Sequence, residues 1–176
     1  MKQTNTNNLK ALKVATEAHG SINQKRKLSG ADYVTHPIAV AKLVEQHGGT
    51  DEMIQAALLH DILEDVYPKN KYYSPEFIKQ EFGDKVLKLV EELTDAYSKE
   101  KFPVFNRKTR HSMENKRISL ISNEAKTIKL ADVIHNCSEA GGLGTWYIEE
   151  KKHQLEFLKG GNSVLYKKAH DILYKS

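Results

Sequence analysis

Residues 58–66 read LLHDILEDV, so His60, Asp61, Glu64 and Asp65 set one imidazole and three carboxylates at the end of a segment that opens as MIQAALL. Burying such groups unpaired in an apolar core is costly. On a helix, positions three and four apart share a face, which puts His60 beside Glu64 and Asp61 beside both Glu64 and Asp65. Clustered carboxylates repel one another unless water, a base or a cation separates them, and a divalent metal resolves the conflict most simply. A solvated helix end is the plain alternative. Acidic groups there oppose the helix macrodipole, however, so the metal reading leads.

A metal needs further ligands. His36 stands directly before Pro37, just outside an expected helix start, and Asp132 interrupts the otherwise core-like run IKLADVIHN. A carboxylate in such a run is usually paired or ligated. His36, His60, Asp61 and Asp132 together offer two imidazoles and two carboxylates, a mixed nitrogen and oxygen set suited to Mn²⁺, Fe²⁺ or Zn²⁺. Positions left open on the ion would take water or a substrate phosphate.

The elements that must position these groups are helices. No stretch sustains a two-residue alternation long enough to demand a strand, and an all-α, compact single-domain fold over residues 1–176 is expected. The first helix is expected from about Asn8 to His19, with Leu9, Leu12, Ala15 and Thr16 on one face and Gly20 as its stop. Pro37 suits the first turn of the next, which Gly48 ends. Thr50 or Asp51 caps a third helix expected to continue to about Asp65. Ser74 and Pro75 open SPEFIKQEFG, and DKVLKLVEELTD is amphipathic after Gly83. Residues 96–105 read as loop, and NRKTRHSMENKRISLI as a basic helix. SNEAKTIKLADVIHNCSEA is a capped helix ending before Gly141 and Gly142. Two more helices, TWYIEEKKHQLEFLK and NSVLYKKAHDILYK, flank Gly160 and Gly161.

Composition narrows the classes. With 39% hydrophobic and 28% charged residues the chain reads as an ordinary globular protein, and no run approaches the roughly 18 apolar residues of a membrane span. No membrane partner is expected. A single cysteine, Cys137, rules out an internal disulfide and, with a polar N-terminus, points to the cytoplasm. The 27 Lys and Arg against 23 Asp and Glu give net +4, a mild bias towards anionic partners. QKRK at 24–27, NRKTR at 106–110 and NKR at 115–117 carry it locally. A homo-oligomer is left open.

The order His36, His60-Asp61, Asp132 resembles the HD-domain metal-dependent phosphohydrolases. More closely, YVTHPIAVAKLV, AALLHDILEDV, FGDKVLKLVEELTD and IKLADVIHN are similar, in that order, to the hydrolase domain of the RelA/SpoT family and its free-standing small alarmone hydrolases. The resemblance spans most of residues 8–140. It implies one Mn²⁺ held by His36, His60, Asp61 and Asp132, with Glu64 and Asp65 as the catalytic pair that handles the attacking water. It likewise makes Arg26 and Lys27 the pair that contacts the nucleotide, and Asn136 a substrate-side residue. In physical terms Glu64 could accept a proton from water, Arg26 could stack on a purine and Lys27 could neutralise phosphate.

The implied activity is removal of the 3′-pyrophosphate from ppGpp or pppGpp, a small anionic nucleotide, leaving GDP or GTP. The same machinery acting on another nucleotide such as NADPH is the enzymatic alternative. Where the family often carries Arg two residues after its His-Asn pair, this chain has Cys137, Ser138 and Glu139. From a different class comes a non-catalytic regulator binding nucleotide or nucleic acid, against which the complete ligand set counts, so nucleic acid is not expected. Arg107, Arg110 and Arg117 reach substrate phosphates or lie on a solvated helix face. The chain has no room for a synthetase domain, so synthesis is not expected. His135 reads as a neighbour of the metal or as a core histidine. His19, His47, His111, His153 and His170 read as surface or cap residues, and Trp146, Tyr147, Leu155 and Phe157 as packing of the last helices. Cys137 lacks the orienting group a nucleophile needs.

Overall fold

In the computed structural model, which describes residues 5–138 and 144–175, the regular elements among the described residues are helices joined by loops, with one antiparallel backbone bridge between Lys25 and Asp32. The described residues form two compact units, Met1–Thr94 and Asp95–Ser176.

The first unit is assembled around α3 (Asp51–Leu59), whose residues from Met53 to Leu59 are all buried. Helices α1 (Thr6–Ser21), α2 (Thr35–Gln46) and α5 (Asp84–Leu93) pack against it. A helix enclosed on several sides has no solvated face, which explains the unbroken apolar run MIQAALL. Caps fix the helix starts as the sequence suggests. Thr50 accepts from the amide of Met53, Ser74 from that of Phe77, and Pro75 opens α4 (Pro75–Phe82). Asn5 and Asn8 donate to the Asp51 carboxylate, tying the start of α1 to the start of α3.

Two details of the first unit depart from expectation. The buried face of α1 is Ala11, Val14, Ala15, Ala18 and His19, while Leu9 and Thr16 are exposed and Leu12 is half-buried. Small alanines allow close approach to α3, and that geometry outweighs the greater hydrophobicity of leucine. In addition, α3 does not run on to Asp65. Its α-helical part ends at Leu59, and after His60 and Asp61 the chain makes a π-helical turn over Ile62–Val66, closed by the Tyr67 amide bonding to the Ile62 carbonyl at 2.9 Å. Such turns are uncommon and gather at functional sites.

The second unit contains α6 (Arg107–Ser119), α7 (Asn123–Ser138), α8 (Thr145–Leu155), a 3₁₀ turn over Glu156–Leu158 and α9 (Ser163–Lys175). The apolar positions of α7 and the Leu165, Ala169 and Leu173 stripe of α9 form its core. The expected stop of α7 at Gly141 and Gly142 lies outside the described residues. Trp146, expected to pack, is 54% exposed, whereas Leu155 is fully buried.

Candidate active site

In the first unit the break at the end of α3 turns His60 inward, with 2% of its surface exposed. Its Nδ1 lies 2.7 Å from the Ala57 carbonyl oxygen. A carbonyl only accepts, so Nδ1 carries a proton, and in the neutral ring Nε2 presents a lone pair. That nitrogen stands 3.1 Å from Asp61 Oδ2, and His36 Nε2 stands 3.7 Å from the same oxygen. His36 is held by the first turn of α2, beginning at Thr35 rather than after His36, and its ring meets that of His60 edge-on at 5.1 Å. A lone pair set against a carboxylate oxygen, with a second imidazole alongside, calls for positive charge. Two imidazole nitrogens and a carboxylate are a suitable donor set for a divalent metal of the Mn²⁺, Fe²⁺ or Zn²⁺ kind.

The segment between α1 and α2 supplies the surroundings. Its bridged backbone, with Arg26 N bonding to Ala31 O and Tyr33 N to Gln24 O, sets Gln24, Arg26 and Tyr33 side by side. Tyr33 Oη donates to Asp61 Oδ2 at 2.8 Å. The Arg26 guanidinium lies 5.6 Å from the Tyr33 ring centre, and Lys27 is exposed. From the π-helical turn, Asp65 accepts from the Gln24 amide at 2.7 Å, and Gln24 in turn meets His19 Nδ1 at 2.7 Å. Burial, aided by the neighbouring charge of Asp61, raises the Asp65 carboxyl above its ordinary range. Glu64 is exposed, and the α-helical register that would set it beside His60 has already ended.

In the second unit Asp132 is buried on α7, its two oxygens engaged by Lys129 at 3.2 Å and by the Asn136 amide at 2.6 Å. Asn136 thus steadies the carboxylate one turn before it. Cys137 is buried, and desolvation pushes its thiol up to about 11, so it stays protonated and packs. Lys99, Arg107, Arg110, His111 and Lys151 line a pocket of about 210 Å³ that also holds Asp95 and Glu114. Burial, then the charge of Lys129, lowers the Lys151 ammonium below its usual range. Arg107 forms a bidentate pair with Glu150 at 2.7 and 2.8 Å and stacks 3.9 Å from the Trp146 ring. Arg110 donates to the Phe105 carbonyl. Arg117 pairs with the buried Glu114, which also accepts from the amides of Ala96 and Tyr97. None of the three is a free surface charge.

A family model described as HD domain matches residues 11–152 of the sequence. The chain belongs to the HD domain family. It is 33% identical over 178 residues to the guanosine-3′,5′-bis(diphosphate) 3′-pyrophosphohydrolase MESH1 of Xenopus tropicalis, covering 89% of this chain and 87% of that protein. It is 35% identical over 134 residues to the guanosine-3′,5′-bis(diphosphate) 3′-pyrophosphohydrolase of Haemophilus influenzae, covering 74% of this chain but 18% of that longer protein. A solved structure titled "A metazoan ortholog of SpoT hydrolyzes ppGpp and plays a role in starvation responses" superposes with a TM-score of 0.82 at 26% identity, over 99% of this chain and 98% of its own. HD-domain membership implies a divalent metal, in keeping with the donors found at the end of α3. Among the described residues no helix is long and apolar enough to cross a membrane.

The first unit therefore brings together His36, His60 and Asp61, with Arg26 and Asp65 close by. Asp132 and Asn136 adjoin one another in the second. Sequence reasoning missed Tyr33, Gln24 and His19. His19 was expected at the surface or in a cap, yet it is 1% exposed. The signal was its spacing of four from Ala15 and eight from Ala11, which puts it on the buried face.

Proposed function

We propose that this protein is a Mn²⁺-dependent hydrolase that removes the 3′-pyrophosphate of ppGpp or pppGpp, and that residues 1–176 act as one HD-type domain in the cytoplasm. The observation that carries the reading is the convergence of His36, His60 and Asp61 on one point, with the His60 lone pair facing the Asp61 carboxylate. The family match and the names of the relatives support the substrate.

His36, His60, Asp61 and Asp132 would hold the metal, with Asp132 assigned from its place in the motif order. When bound, the ion supplies Lewis-acid chemistry, making water nucleophilic near neutral pH and drawing charge from the phosphate. The chain's own groups do the rest. Of the Glu64 and Asp65 pair, Asp65, held by Gln24, takes the proton from the attacking water as its oxygen bonds to the phosphorus of the 3′ ester, and Glu64 is the exposed member. The bond from that phosphorus to the ribose 3′-oxygen breaks, the proton taken from water is returned to that oxygen, and pyrophosphate leaves with GDP or GTP as the other product. Arg26 and Lys27 bind the nucleotide, and Asn136, already donating to Asp132, offers the ribose its remaining polar capacity.

Product analysis tests this. Purified protein with Mn²⁺ is incubated separately with ppGpp, pppGpp and NADPH, with Asp61→Ala as control. Pyrophosphate with GDP or GTP, absent in the control, is the expected result. Inorganic phosphate from NADPH alone would move the activity to the other nucleotide.

A further inference from the structure

The hydrogen bonds leading to Asp65 have a direction. An ionised carboxylate only accepts, so the Gln24 group 2.7 Å from Asp65 Oδ2 is the amide nitrogen. Gln24 Oε1 then faces His19 Nδ1 at 2.7 Å, and because that oxygen only accepts, Nδ1 is the protonated nitrogen. The neutral ring is left with a bare Nε2, which is buried and has no hydrogen-bond partner. Reversing the chain would require a proton on Asp65 and would leave an N–H donor stranded at that buried position. The imidazole itself is gripped by α1, and its face lies 4.8 Å from the ring of Tyr33, which bonds Asp61.

We infer that His19 and Gln24 are positioning residues: His19, locked as its Nδ1–H tautomer, orients the Gln24 amide so that Asp65 is held as a hydrogen-bond acceptor. Neither residue touches substrate in this scheme; both act through Asp65. The kinetic consequence rests on the hydrolase reading above, whereas the tautomer does not.

Two measurements test it. Long-range ¹H–¹⁵N correlation spectra of metal-free protein read the histidine tautomer directly. His19 is expected to carry its proton on Nδ1, and Gln24→Ala is expected to release it to a mixture containing the Nε2–H form. A wild-type His19 protonated on Nε2 would overturn the inference. In kinetics, Gln24→Ala and His19→Ala are expected to lower kcat about 10- to 100-fold, the range for lost outer hydrogen bonds, while KM and bound Mn²⁺ stay the same. His19→Asn, whose side-chain N–H stands where Nδ1–H does, should recover much of the loss, and His19→Gln should not. Equal defects in the Asn and Gln variants, or loss of metal from both, would reduce His19 to a packing residue. Should the wild type turn over no nucleotide, the hydrolase reading fails and the tautomer alone decides the relay.

Discussion

At the residue scale the most exacting position is Asp61, because one oxygen faces two imidazoles and also accepts from Tyr33. A hydrogen bond to a charged acceptor contributes about 1.5–3 kcal/mol, and here it fixes which way the carboxylate points. Tyr33→Phe keeps the ring, and with it the contacts to His19 and Arg26. The expected outcome is a fold-preserving variant whose Mn²⁺ affinity falls about 10- to 100-fold by calorimetric titration. An unchanged Kd would show that Asp61 needs no such orientation. The imidazoles and carboxylates were legible in sequence because few settings accommodate their chemistry inside an apolar run. Tyr33 and Gln24 were not, since their partners are set by backbone pairing between Lys25 and Asp32, which leaves no periodic trace.

At the element scale, capped helix starts such as Thr50 and Ser74 were readable because the capping side chain is itself the signal. The π-helical turn was hidden, because residues 62–66 carry an ordinary helical composition. Close approach between elements is equally hard to see, yet it can be tested in the second unit. A Cβ on Gly161 would sit 2.8 Å from Leu130 Cδ1 and 3.1 Å from both the Lys126 carbonyl carbon and the Thr127 amide nitrogen. The leucine tip could move, but the α7 backbone could not without losing the bond from Asn162 N to Thr127 Oγ1. Gly161→Ala should therefore cost about 1–3 kcal/mol, as overpacking does, and lower Tm in a thermal melt. Gly20→Ala, where a Cβ meets nothing within 4 Å in α1, serves as the contrast and should leave Tm level or raised. Equal behaviour of the two would mean that the loop before α9 yields freely.

At the scale of the whole molecule, metal and fold are linked. Imidazole and carboxylate donors preorganised at the end of α3 bind an ion in the native state far better than the unfolded chain can, so mass action stabilises the folded form. At free Mn²⁺ about 100 times Kd the gain is about 2.7 kcal/mol. For a chain of 176 residues, each kcal/mol moves Tm by about 2–4 °C, so loading should raise it by about 5–11 °C. Chelation with EDTA should reverse the rise. His60→Ala removes a donor from the centre of the site and should abolish the Mn²⁺-dependent increment whatever it does to the baseline. Asp132→Asn reports on the assignment made from motif order: a lost or much reduced increment marks it as a ligand, and a full increment removes it from the set. Because the increment is read within each variant, with and without metal, a destabilised baseline does not imitate the result.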